Sequence, residues 1–267
     1  MTEAATRMQT GHSVDEIRAF WNGQAERYGA DLKATMYDPL AKELEVAALQ
    51  QHLDRKVPAL EVGCGNGVNL LQMTEWFEAP LTGVDYSDRM IAVANGLAKE
   101  RSPRVPLKFA VASVLEDLRH LGMFPQIFTV RCLINLPSRD DQARALANLA
   151  AILPPGGEIV MIEHFEEGQE RINELRQSVG LPAISYKWHN LYMRESDVLA
   201  RLPEQLEHVE TDRFASLYYL ISRVFNAYVT PADKDPDYLA EINKLSCRLP
   251  AVGDFAPLKL MRFRKRK

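Results

Sequence analysis

The sequence predicts an α/β fold: a mostly parallel sheet with helices on both faces. Three observations lead there. Short apolar runs alternate with helical stretches from Ala59 to Ile162, the rhythm of right-handed βαβ crossovers. A glycine-rich turn, Gly63-Cys64-Gly65-Asn66-Gly67, joins the first run to the helix that follows. An acid, Asp85, closes the next run 22 residues after Gly63.

Residues 1–12 read as disordered. A helix is predicted over Val14–Tyr28, where Val14, Ile17, Phe20 and Trp21 fall at helical spacing behind the N-cap candidate Ser13. A second helix runs from Pro39 to Leu53, after a loop over Lys33–Asp38. The first strand is Ala59–Val62, followed by a helix over Val68–Phe77. Next come a strand over Leu81–Asp85 and a helix capped by Ser87 that runs to Arg101. Leu107–Val111, Ile127–Val130 and Ile159–Ile162 are the third to fifth strands. A helix over Asp140–Leu153 stops at Pro154-Pro155-Gly156-Gly157. After Glu163 the rhythm breaks. Residues 164–205 hold helical stretches and an aromatic segment, Tyr186 to Tyr192; the last two strands are expected near 206–214 and 258–264. Between them Leu217–Val229 looks helical, with Tyr218, Ile221, Phe225 and Tyr228 on one face. No Gly/Ser-rich linker divides the chain. It therefore reads as one domain in four parts: a helical cap segment (1–55), a core (56–163), a lid or insertion (164–205) and C-terminal strands with a helical insertion (206–267).

The chain has 267 residues, 46% apolar and 25% charged, with a net charge of −4. That size and composition suit one large globular domain. The charge argues against a dedicated nucleic-acid binder. The only basic run, Arg262 to Lys267, reads as a solvated tail. Three scattered cysteines without a CxxC pair make a disulfide framework or zinc site improbable. The polar start lacks the apolar core of a secretory signal, and no stretch approaches a membrane span. The expected setting is the cytoplasm, as a monomer or homodimer with a small-molecule partner and neither nucleic acid nor membrane.

The central signal is Leu60-Glu61-Val62-Gly63-Cys64-Gly65-Asn66-Gly67, lying between a strand and a helix. Glycines there permit a tight turn and a close approach of backbone to ligand. Asp85 stands where it could hold both hydroxyls of a ribose, and Glu61 suits an ammonium group. A nicotinamide-dinucleotide site would require Gly-x-Gly-x-x-Gly to seat a pyrophosphate; here the third glycine comes one residue early. Together with Gly83-Val84-Asp85-Tyr86-Ser87, Met90 and Leu153-Pro154-Pro155-Gly156-Gly157, the segment resembles the motifs of class I S-adenosylmethionine (SAM)-dependent methyltransferases, in their order and spacing. The resemblance covers about Ala59 to Glu163. It implies a Rossmann-like, seven-stranded sheet in the order 3-2-1-4-5-7-6, with SAM as cofactor and S-adenosylhomocysteine as its product. By it, Gly63, Gly65 and Gly67 line the methionine part of SAM, Asp85 holds the ribose, and Tyr86 and Met90 pack on the adenine. The family's third strand usually ends in an aspartate that reads the adenine amino group. Here Ser113 stands there, and recognition would lean on Ser113 and the Val114 amide, or else on Glu116 or Asp117. Phe20 to Gly29 resembles a helix that precedes the core in many small-molecule methyltransferases, which implies that Tyr28 lies over the SAM methyl; Trp21 reads as core.

SAM needs little activation, so the protein must chiefly align an acceptor and exclude water. Ligands in such sheets lie beyond the C-terminal strand ends. That points to Arg131, near the SAM carboxylate or the substrate, to Asn135 as an acceptor contact, and to His164 as a general base. His189 is the second candidate base, in an aromatic segment suited to a cap, with Asn190 and Tyr192 as substrate contacts. Tyr37 lies in a loop able to close the same pocket. No cluster of hard oxygen ligands implies a metal. The leading expectation is methyl transfer to an oxygen of a small molecule such as a sugar or secondary metabolite. N-methylation of a small amine or peptide, and SAM binding without catalysis, are the alternatives.

Overall fold

A computed structural model describes residues 11–231 and 233–267. The expected disorder at the N-terminus falls, up to residue 10, outside the described residues. Seven strands form one sheet in the order β3-β2-β1-β4-β5-β7-β6. They are β1 (Ala59–Val62), β2 (Leu81–Asp85), β3 (Leu107–Val111), β4 (Gln126–Val130), β5 (Glu158–His164), β6 (Leu206–Asp212) and β7 (Leu258–Lys265). The first five are parallel, and β7 runs antiparallel to both β5 and β6.

The strand period sorts side chains onto two faces. Phe128, Val130, Val160 and Ile162 pack on one side with Leu40, Ala41 and Leu49 of α2 (Pro39–His52) and Ile172 of α6 (Glu166–Ser178). Leu60, Val62, Ile127, Ile159 and Met161 pack on the other with Leu146 and Leu149 of α5 (Arg139–Ala151). The central strands are therefore apolar on both faces, as buried parallel strands are.

Helix α1 (Val14–Tyr28) begins at Ser13, whose hydroxyl accepts from the Glu16 amide while the Glu16 carboxylate accepts from the Ser13 amide, a reciprocal cap. Ser87 caps α4 (Asp88–Arg101) through the Met90 amide. The helix expected over Val68–Phe77 is shorter: α3 ends at Met73. The Lys33–Asp38 loop begins within a single 3-10 turn, Leu32–Ala34. Residues 216–229 are helical but not uniformly so. A π-helical stretch, Ile221–Phe225, separates α8 (Ser216–Leu220) from α9 (Asn226–Val229). The wider turn shifts the register, so the expected stripe splits: Tyr218 is buried, whereas Phe225 and Tyr228 are exposed. The basic C-terminus is also more than a solvated tail. Arg262 and Arg264 in β7 bind Glu158, and Lys265 donates to the Ala150 and Leu153 carbonyls at the end of α5.

Residues 186–193 lie against the C-terminal end of β5. The Met193 amide donates to the His164 carbonyl, the Glu166 amide to Met193, and the Leu191 amide to Ile134. This packing ties residues 191–193 to the end of β5 and to the turn after β4. Among the described residues, no helix is long and apolar enough to cross a membrane.

Candidate active site

The site grows from the end of β1. The Gly63 and Cys64 amides both donate to the Val84 carbonyl, at 2.8 and 3.0 Å, binding the turn to β2. Gly63 has φ 78°, and a Cβ there would lie 2.4 Å from Cys132 Sγ, so only glycine fits between the turn and the loop after β4. Gly67 has a different task. A Cβ on it would meet Ala94 Cβ and Phe109 Cζ, each at 2.7 Å, so it permits close helix–sheet packing and is not part of the cleft lining.

An open cleft of about 760 Å³ lies between this turn and the strand ends. It is lined by Gly63, Gly65, Asp85, Tyr86 and Met90, by Ser113 and Val114, and by Arg131, Cys132 and Asn135. Trp21, expected in the core, also lines it, as does Thr35. Glu116 and Asp117 do not line the cleft; Asp117 is tied to Arg119 instead. Tyr28, expected over the SAM methyl, is not part of the cleft lining. It packs with Ala25, Ala34 and Met90, and its hydroxyl accepts from the exposed Tyr37.

Asp85 accepts from the Gly65 amide at 2.9 Å and from the Ser87 amide at 2.8 Å. Burial nonetheless lifts its pKa to about 6, the two amides holding it down. Beneath the turn, fully buried Glu61 accepts from Asn69 at 2.8 Å, and its second oxygen is unpaired. Burial raises its pKa to about 7. A carboxyl group whose pKa rises on folding contributes stability that is complete at low pH and is lost as the pH climbs through the folded value. Near pH 5 protonated Glu61 and a glutamine are nearly equivalent. Glu61→Gln should therefore gain melting temperature relative to the wild type as the ligand-free protein is taken from pH 5 to 8. A gap that stays constant across this range would refute that.

Arg131 adopts φ 52° at the end of β4, which turns its side chain toward α2. It donates to Glu45 at 2.7 Å and to the Thr35 carbonyl at 2.9 Å. Glu45 is fully buried and also accepts from Lys42. The sequence reading missed Glu45, yet a signal was present: it shares a helical face with Ala41 and Ala48, so an acid sits on an apolar stripe. Asn135 donates to the Arg131 carbonyl at 2.7 Å, leaving its own oxygen buried and unpaired.

Glu163 is also fully buried. Its carboxylate accepts from the Thr129 hydroxyl and from the amides of Cys132, Leu133 and Ile134, at 2.9 to 3.2 Å. It therefore caps the 3-10 turn Leu133–Asn135 and holds the loop that carries Arg131 and Asn135.

The two histidines lie in different surroundings, neither on the cleft lining. His189 stacks on Phe20 at 4.4 Å, with Trp21 and Trp188 edge-on. It anchors the 186–192 segment to α1, and burial lowers its pKa to about 4. Buried Asn190 stands beside it, also off the cleft lining. His164 ends β5 with both ring nitrogens buried and unpaired, edge-on to buried Tyr192 at 4.8 Å. Burial and the charges of Arg131, Lys187 and Arg223 push its pKa down to about 3.

Residues 59–157 match a family described as a methyltransferase domain. An O-methyltransferase of Aspergillus nomiae, rstn1, is 24% identical over 131 residues, covering 46% of this chain and 57% of that one. The ajmaline N-methyltransferase of Rauvolfia serpentina is 25% identical over 105 residues, covering 39% and 35%. The matched stretch thus spans between about a third and a little over half of these relatives' own length. Magnesium protoporphyrin IX methyltransferase from Synechocystis, solved with S-adenosylhomocysteine, superposes with a TM-score of 0.58 over 96% of this chain and all of that one, at 12% identity, a likeness of fold. The domain match over residues 59–157, the glycine turn with its acid and the sheet order together support a class I SAM-dependent methyltransferase.

Proposed function

We propose that the protein transfers the methyl group of SAM to an oxygen of a small-molecule acceptor. The observation that carries the reading is the cleft, and its residues fit the cofactor. The backbone at Gly63 and Gly65 presents no side chain to a ligand. Asp85 has used two of its roughly four acceptor sites, leaving capacity for ribose hydroxyls. Met90 and Tyr86 offer apolar surface for the adenine, with Ser113 and Val114 at its edge. Glu61 lies below the turn, off the cleft lining, with one oxygen bound to Asn69 and the other unpaired and suited to the ammonium. SAM, when bound, supplies an electrophilic methyl group; the protein supplies alignment and a dry site.

Oxygen is favoured over nitrogen by charge. Arg131 lines the cleft with its guanidinium paired to Glu45, and Lys187 has no carboxylate within 4.0 Å among the described residues, a cation that would oppose a protonated amine. The net charge of −4 suits a small acceptor better than nucleic acid. Asn135 lines the cleft, and its oxygen is buried without a partner, a site for a donor on the acceptor. Asp85→Ala should weaken SAM binding by about 1–3 kcal/mol, the cost of leaving buried polar groups unpaired. Calorimetry checks this, and unchanged affinity would remove Asp85 from the ribose. Transfer itself is tested by mass spectrometry of a metabolite extract incubated with methyl-labelled SAM. Absence of any labelled product would leave only a binding role.

A further inference from the structure

We propose that Glu45 of α2 is a positioning residue for the cofactor: it fixes the Arg131 guanidinium and the Thr35 wall of the cleft, and offsets the Arg131 charge beside a ligand that is itself a sulfonium cation. This rests on the cleft being the SAM site and adds a device that favours SAM over its uncharged thioether product.

Arg131 and Thr35 both line the cleft, whereas Glu45 does not. The Arg131 Nε donates to one Glu45 oxygen at 2.7 Å, and Nη2 reaches the other at 3.5 Å. Nη1 donates to the Thr35 carbonyl at 2.9 Å. Thr35 stands against the glycine turn, its Cγ2 3.0 Å from where a Gly65 Cβ would be. The segment that leads to Thr35 is tied to the same turn. Asn66 donates through its side-chain amide to the Gly29 and Asp31 carbonyls, at 2.9 and 3.2 Å. Residues 29–35 therefore run as a strap from Asn66 to Arg131, and Glu45 secures the Arg131 end.

Stability alone does not call for this acid. Glu45 is fully buried on a helix face shared with Ala41 and Ala48. Apolar side chains of similar volume often replace a buried ion pair without loss of stability. Arg131 also holds a left-handed backbone, φ 52°, a strain that proteins keep where a site uses it. Both features lie at the edge of the cleft and have a use there. SAM carries a permanent positive charge on sulfur, and S-adenosylhomocysteine carries none; their ammonium and carboxylate groups are the same. A guanidinium on the lining without a counter-charge would repel the first more than the second. Glu45 supplies the counter-charge from outside the cleft. Lys42, at 3.3 Å, is a second partner for its carboxylate, so replacing Arg131 does not leave a buried acid alone.

The test is calorimetric titration of the full chain with SAM and with S-adenosylhomocysteine, and its readout is the ratio of Kd for SAM to Kd for the product. At pH 8 Glu61 and Asp85, raised to about 7 and 6, are ionised in the wild type and remain so in the variants. Glu45→Gln should raise the ratio about fivefold or more, the size expected of one unit charge acting at short range within the protein. Arg131→Gln should move it in the opposite direction. Loosening of the Thr35 wall lowers both affinities together and leaves the ratio alone, so a merely structural role does not move it. Circular dichroism reports which variants fold; if Glu45→Gln does not, Arg131→Gln decides by itself. A ratio within about twofold of the wild type in either folded variant, or a shift of the same sign in both, overturns the proposal. Failure of the wild type to bind either ligand overturns instead the assignment of the cleft to SAM.

Discussion

Replacing Gly65 with arginine is expected to lower SAM affinity by at least about a hundredfold, some 2.7 kcal/mol, while the protein stays folded. Gly65 has φ 54°, and a Cβ there would meet only Thr35 Cγ2, at 3.0 Å. The side chain therefore has one direction to grow, into the cleft that Gly65 lines. A left-handed backbone costs a non-glycine residue roughly 1–2 kcal/mol, a cost the fold can bear. The larger effect is occlusion, compounded by any shift of the Gly65 amide away from Asp85. Gly23→Arg, on an exposed turn of α1 with open space around it, is the control. Calorimetric titration with SAM reads the outcome, and circular dichroism reports the fold. Near-normal affinity in Gly65→Arg would remove the glycine turn from the cofactor site.

Glu163→Ala is expected to destabilise the protein by roughly 3 kcal/mol or more. It strips partners from the amides of Cys132, Leu133 and Ile134 and from the Thr129 hydroxyl. Each buried group left unpaired costs about 1–3 kcal/mol, not fully additively. For a chain of this size that corresponds to a fall in melting temperature on the order of 6–12 °C. Glu163→Gln retains one acceptor oxygen and should lose less. Because the capped turn carries Asn135, the alanine variant should also lose turnover beyond what its melting curve explains. A melting temperature within about a degree of the wild type would mean that water or backbone movement replaces the carboxylate.

The central sheet was legible in the chain itself because each strand is a short apolar run ended by a turn signal, and Ser13, Ser87 and Gly63 act locally. α1 spans the predicted Val14–Tyr28 because its cap and its apolar spacing are both contained in consecutive residues. The seven-strand order required the resemblance, since antiparallel β7 reaches its place between β5 and β6 only through long-range pairing. Gly63, Gly65, Asp85, Tyr86 and Met90, expected on the cofactor, line one cleft for the same local reason, since they lie within two consecutive strand–turn–helix units.

The acceptor side was decided by tertiary structure. Residue type marked His164 and His189 as bases, but protonation depends on surroundings. Burial and three cations from separate segments push His164 far below the ordinary imidazole value, and Phe20 and Trp21 of α1 enclose His189. Glu163, near the end of β5, is a structural cap because the loop after β4 folds over it. Arg131 finds Glu45 across 86 residues, and Asp38 finds Arg223 across 185. Backbone geometry and apolar period are properties of neighbours in sequence, and the sequence by itself determined the fold of the core and the nucleotide-shaped turn. Charge, solvation and hydrogen-bond partnership are properties of neighbours in space, and only the tertiary structure decided which acids are occupied and that both histidines are held neutral by burial.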